Sequence, residues 1–172
     1  MIPKLKWETE FKETEIGEIP KDWRTIKLMK VITNIEKGKV PEKISGEYPY
    51  LSVDYLRGNL DDTEFYSKDA GVFVTRDDIL MIWDGVINAG EIFRGIEGLL
   101  SSTMCRLIYD KGKIQRDYLY HTLKLFEPII REARRGTDDR HVDKSMFLDL
   151  VIPYPSPAEQ SRIATVLSWF DD

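Results

Sequence analysis

Between about residue 23 and residue 110 the chain never sustains one pattern for long, and this most constrains its fold. Short β-prone runs, "WRTIKL", "YPYLSV", "TEFY", "GVFVT", "DILMIW", "EIFRG" and "TMCRLIY", alternate with glycine, asparagine and aspartate. Aromatic and β-branched residues in runs of this size, bounded by turn formers, read as short strands. The turns fall at Lys37-Gly38, Arg57-Gly58-Asn59, Asp84-Gly85 and Ala89-Gly90, where left-handed backbone angles are tolerated. A compact, curved β region is the expectation.

From Asp117 the period changes. Leu119, Leu123, Phe126, Ile130 and Ala133 recur at steps of four and three, one apolar helical stripe. Pro128 interrupts it, either by kinking one helix or by opening a second. Arg131, Arg134 and Arg135 precede Gly136, where cations suit the carbonyl end of a helix and glycine its cap. The polar loop "GTDDRHVDK" then leads into "SMFLDLVIPYP", read as a helical turn and a last short strand. The fold class is α+β, with helices on the C-terminal side.

The terminal helix has the fullest local signal. Ser156 suits the cap, Pro157 the first helical position, and Glu159 completes a capping box. Ile163, Val166, Leu167 and Phe170 follow at i, i+3, i+4 and i+7, a face for the chain's own core or for a partner helix. A helix of this length is marginal alone in water, so it needs a surface to lie on.

Composition sets bounds. The 172 residues are 42% hydrophobic and 11% aromatic, enough apolar surface for one domain with its own core. Cys105 is the single cysteine, and with His121 and His141 as the only histidines no Cys/His zinc cluster is available; neither metal nor cofactor is expected. No apolar run approaches the roughly 20 residues needed to cross a bilayer, which points to a soluble, cytoplasmic protein. The net charge of −5 gives no overall attraction to nucleic acid, so local surpluses matter. Residues 1–22 hold six acids against four lysines and read as an extended polar arm, whereas "KGKVPEK" at 37–43 has three lysines and one acid.

In order, "IGEIPKDWRTIKL", "IEKGKVP", "YPYLSVDYLRG", "DDILMIWDGVINAGEIF", "LLSSTMCRLIY", "DYLYHTLK" and the closing "LVIPYPSPAEQSRIATVLSWFD" resemble a target recognition domain of the specificity subunit of a type I restriction-modification system. The resemblance covers nearly the whole chain, and its most specific element is the strand, proline-rich turn and Glu-Gln helix entry at the end. It implies a polar arm over 1–22, a recognition domain over 23–155, and over 156–172 the beginning of a spacer helix that pairs as a coiled coil. It implies a non-catalytic DNA-binding subunit reading one half of a bipartite duplex target, with methyltransferase subunits, restriction subunits and a second recognition domain or second copy as partners. Both a piece of a longer subunit and a naturally halved subunit fit this outline. The charged loop "GTDDRH" departs from the family's usual stretch, leaving Asp138, Asp139 and Arg140 open between base contacts and a salt-bridged turn.

Base edges in the major groove are read by forked or paired polar groups on a rigid frame. Lys37, Lys39 and Lys43, then Arg57 and Asn59, then Arg135, Thr137, Asp139, Arg140 and His141 are the phosphate or base candidates. Asn88 could pair with adenine, or satisfy its own turn. Ser101, Ser102 and Thr103 have hydroxyls suited to phosphate or to pairing within a sheet. Tyr55 and Trp83 have faces for sugars or thymine methyls, with buried packing expected for Trp83. Phosphate-loop, nucleophile-elbow and dinucleotide motifs are missing, as is the Asn-Pro-Pro-Tyr motif of adenine methyltransferases, so methylation chemistry is expected in a partner. The competing reading is a protein-interaction module that docks a partner through the terminal helix without touching DNA.

Overall fold

The computed structural model describes residues 10–85, 87–132, 134, 135 and 141–170. Strands β1 (Phe11–Thr14) and β2 (Gly17–Pro20) form an antiparallel hairpin, closed further by Lys21 N donating to Glu10 O at 2.7 Å. The expected polar arm is thus a paired hairpin over its described part, and Ile19 is buried. Strand β3 (Arg24–Lys27) and a single 3-10 turn lead to β4 (Ile32–Lys37) and β5 (Ser45–Leu51). Where the sequence suggests that the β5 strand continues, Ser52 caps a helical turn, α1 (Val53–Leu56), by accepting from Tyr55 N at 3.1 Å.

The chain continues through β6 (Phe65–Tyr66), β7 (Phe73–Val74), β8 (Ile79–Ile82), β9 (Ile92–Arg94), β10 (Gly98–Leu100) and β11 (Met104–Tyr109). Two sheets result. One has the order β4-β11-β8-β9, antiparallel throughout; the other, β6-β5-β10-β7, joins β5 and β10 in parallel. Strand β8 is buried on both faces, and the two-residue period of a strand divides its side chains. Ile79 and Met81 join the larger core with Cys105 and Leu107, while Leu80 and Ile82 join the smaller core with Leu51, Leu100 and Met104.

Helix α2 (Arg116–Glu132) closes the larger core with Leu119, Leu123, Phe126 and Ile130, the stripe expected from its period; Ala133 lies outside the described residues. Pro128 sits inside this one helix, on its exposed side, where the freed carbonyl can turn to water. Arg131 lies in the last helical turn, and the backbone of Arg134 and Arg135 forms β12 (Arg134–Arg135), paired with β13 (His141–Val142). Helix α3 (Lys144–Asp149), capped by Asp143, and β14 (Val151–Tyr154), paired with β3, follow as expected.

Helix α4 (Pro157–Ser168) has the capping box of Ser156 and Glu159. It docks on α2 through a side that overlaps only part of its apolar stripe. Ala164 and Gln160 are buried and Ile163 is packed against the larger core, whereas Val166, Leu167, Trp169 and Phe170 face outward, the last two 72% and 78% exposed. Gln160 is a polar clip: its Oε1 accepts from Gln115 N at 2.9 Å and its Nε2 donates to Pro155 O at 3.1 Å. Beside it Glu159 accepts from Trp23 Nε1 at 3.2 Å. The hydrogen bond from Ser156, then that from Trp23, holds the Glu159 carboxyl below its ordinary range.

Candidate nucleic-acid interface

The connection from β8 to β9, residues 83–91, gathers the candidate residues from distant parts of the chain. Trp83 is buried, as expected. Its amide donates to Thr103 O at 2.8 Å and its carbonyl accepts from Val142 N at 3.0 Å. Asp84 N also donates to Thr103 O, and Asp84 makes a β-bridge with His141. The turn 101–103 and strand β13 are thus fixed against the same two residues, leaving His141 exposed at the rim.

Lys37, at the end of β4, donates to Asp84 Oδ2 at 2.5 Å. The next residue makes a close approach: Gly38 N donates to Met104 O at 2.8 Å, and a Cβ at Gly38 would lie 2.1 Å from Ser101 O. From there residues 38–44 cross to the second sheet, where Glu42 N donates to Ala70 O and Ser67 N to Ile44 O. Lys39 and Lys43 are exposed on this crossing, and among the described residues neither has an ion-pair partner. Lys68 joins them. Its ammonium stands 4.5 Å from the Phe73 ring centroid. Lys68 was not legible as a candidate, because only the Ser67–Ile44 pairing brings its segment beside the lysine-rich loop.

On the other side of the rim, Ser102 N donates to the Tyr50 hydroxyl at 3.2 Å, tying the 101–103 turn to β5 and so to α1. Arg57 follows α1 and pairs with Glu91, at the far end of the 83–91 connection. Two of the candidate cations, Lys37 and Arg57, are therefore each held by an acid of one loop. Screening by solvent makes such partly exposed pairs individually weak, so they orient more than they stabilise.

Several candidates turn out to be used internally. Ser101 is 4% exposed and its hydroxyl lies 3.1 Å from Thr103 Oγ1, so it is unavailable to phosphate. Asn59 Oδ1 accepts from Asp61 N, satisfying its own turn. Tyr55 packs half-buried against the smaller core. Asn88 sits half-buried in the 87–90 turn, its carbonyl accepting from Glu91 N. Burial pushes the Cys105 thiol well up, which leaves it an inert core residue. Arg135 is placed by its backbone pairing with His141; Thr137, Asp138, Asp139 and Arg140 lie outside the described residues.

A two-sheet frame with exposed cations, and a loop that holds His141, Lys37 and Arg57 through Asp84 and Glu91, defines a scaffold for presenting loops to a ligand. The chain belongs to the type I restriction modification DNA specificity domain family, whose pattern matches residues 20–172. It is 42% identical over 171 residues to the type I restriction enzyme MjaVIII specificity subunit of Methanocaldococcus jannaschii, covering 96% of this chain and 40% of that one. The MjaIX specificity subunit of the same organism is 33% identical over 186 residues, covering 98% and 42%. Among solved structures, a type I restriction-modification system S subunit from M. genitalium shares the fold with a TM-score of 0.68 at 23% identity, over 99% of this chain and 42% of the other. The chain spans about two fifths of the length of the relatives it matches.

Proposed function

We propose that this chain is a target recognition domain that reads one half of a split duplex DNA target and leaves methylation and cleavage to partner subunits. The observation that carries the reading is the rim itself. Lys39, Lys43 and Lys68 are exposed and, among the described residues, have no ion-pair partner; Lys39 and Lys43 lie on the crossing that leaves Lys37, which is itself paired to Asp84 of the loop rooted in doubly buried β8. Lysines of this kind neutralise phosphates and set register on the duplex, while forked groups such as Arg57 carry sequence information. The overall negative charge does not oppose this. Exposed charges farther apart than about 10 Å are largely screened at ordinary salt.

In this reading residues 1–22 lead into the domain, 23–155 form it, and 156–172 begin a spacer helix. The outward stripe of Val166, Leu167, Trp169 and Phe170 supports that role, since it suits pairing with a second helix. Methyltransferase subunits, and through them restriction subunits, would be the assembly partners, in the cytoplasm. The same outward stripe favours the second reading, a module that binds protein alone.

Salt separates the two. Affinity for random duplex should fall steeply with salt, because each neutralised phosphate releases counterion. Lys39→Ala should weaken binding evenly across sequences and reduce the salt slope by about one, with the fold intact. Duplex binding that is absent at low salt, both alone and with the methyltransferase subunit, would leave the protein-only reading standing.

A further inference from the structure

We propose that Glu91 is a positioning residue for sequence reading, acting through Arg57 by aiming its guanidinium and not by touching DNA. The inference rests on the rim being the DNA surface. The Glu91 side chain is 16% exposed and that of Arg57 41%. Glu91 Oε2 accepts from Arg57 Nη2, and Arg131 Nη2 stands 3.7 Å behind the same oxygen. Arg131 is in turn 3.9 Å from Glu127 Oε2, and Glu127 Oε1 accepts from Ile92 N at 2.8 Å and from Lys124 at 2.6 Å. A carboxylate backed by helix α2 thus holds an exposed arginine in front of it.

The backbone of Glu91 is fixed as firmly. Its carbonyl accepts from Ile82 N at 2.9 Å, continuing the pairing of β8, and its amide donates to Asn88 O at 3.0 Å. Gly90 precedes it with φ +95°, where a Cβ would lie 2.9 Å from Ile130 Cγ2 on α2. Strand on one side and helix on the other therefore set where the carboxylate stands. A free arginine has rotamer entropy to lose when it docks. Gripping one amino group removes part of that loss beforehand and leaves the other donors for a base edge. If Glu91 merely masked Arg57 from phosphate, removing it would instead tighten binding to every duplex.

Selection from a randomised duplex pool at low salt distinguishes these, with wild type, Arg57→Ala, Glu91→Ala, Glu91→Gln and the Arg57→Ala/Glu91→Ala pair compared and urea midpoints measured alongside. Wild type should enrich a motif. Arg57→Ala and Glu91→Ala should lose roughly tenfold in discrimination at the same base positions, and the double variant no more than either alone. Glu91→Gln keeps an acceptor oxygen and should retain a weakened preference at those positions; it decides the matter if Glu91→Ala fails to fold. An unchanged motif in the Glu91 variants, loss at positions that Arg57→Ala does not affect, or uniformly tighter binding overturns the inference. A wild-type chain that enriches nothing, both alone and with the methyltransferase subunit, overturns the DNA reading itself, which the other outcomes leave intact.

Discussion

Replacing Gln160 with methionine, a side chain of similar length and volume, should weaken the hold of the domain on α4. Gln160 is 1% exposed and satisfies two backbone groups, Gln115 N at 2.9 Å and Pro155 O at 3.1 Å. Methionine can fill the space but can neither accept from the first nor donate to the second. A buried backbone group left without a partner costs about 1–3 kcal/mol, and the volume-conserving swap adds less than about 1.5 kcal/mol. Gln115 is half-buried, so water can partly repair its amide, and a total near 3 kcal/mol follows. For a chain of this size each kcal/mol moves Tm by roughly 2–4 °C, which puts the fall at roughly 6–12 °C. Gln115 also caps α2, its Oε1 accepting from Tyr118 N at 2.6 Å, so the start of that helix should loosen too. Urea titration followed by near-ultraviolet dichroism, with amide exchange at residues 115–119, reads both effects. A change smaller than about 0.5 kcal/mol, the scatter of neutral surface substitutions, would refute the claim that these two bonds hold the helix.

Two further predictions concern the frame. Burial pushes the Asp117 carboxyl up, but the hydrogen bond from Arg94 at 2.6 Å and the charge of Arg116 outweigh it, leaving the group below its ordinary range. Its folded pKa is thus lower than its unfolded one, so its contribution is complete above the unfolded value and disappears as pH falls through the folded value. The urea midpoint should therefore drop on acidification below the ordinary carboxylate range, and Asp117→Asn should flatten part of that drop; parallel curves for the two proteins count against the pairing. Gly38→Ala must displace backbone at Ser101 and should cost about 1–3 kcal/mol, and an unaltered urea midpoint would show that the close approach is not required.

The parts of the fold that were legible are those whose signal is local. The capping box of α4, the stripe of α2 and the apolar run of β8 each declare themselves within a few residues. Strand β4 did not, because it lies at a sheet edge and its "TNIEK" shows no sustained alternation. The turn of α1 was hidden by aromatic residues that favour a strand, although Ser52 was in place to cap it. At the rim, composition located the cations but could not pair them. Lys37 and Asp84 are 47 residues apart and Arg57 and Glu91 34, so only the assembled sheets bring each acid to its base. Ser101 is buried where Gly38, arriving from another sheet, makes a close approach to its backbone, a proximity that local sequence does not show.

The double burial of β8 bears on how new specificities arise. A slip of one residue would exchange Ile79 and Met81 for Leu80 and Ile82 between two differently shaped interiors, so the register of this strand is pinned however its outlet is written. Within the outlet Gly85 (φ +155°), the buried Ala89 and Gly90 belong to the frame, so it is the tip at Ile87 and Asn88 that can be redrawn by mutation or grafted from a relative with little penalty to folding. Evolution and the protein engineer are offered the same exchangeable cassette, with the ends at Asp84 and Glu91 as the joints to preserve.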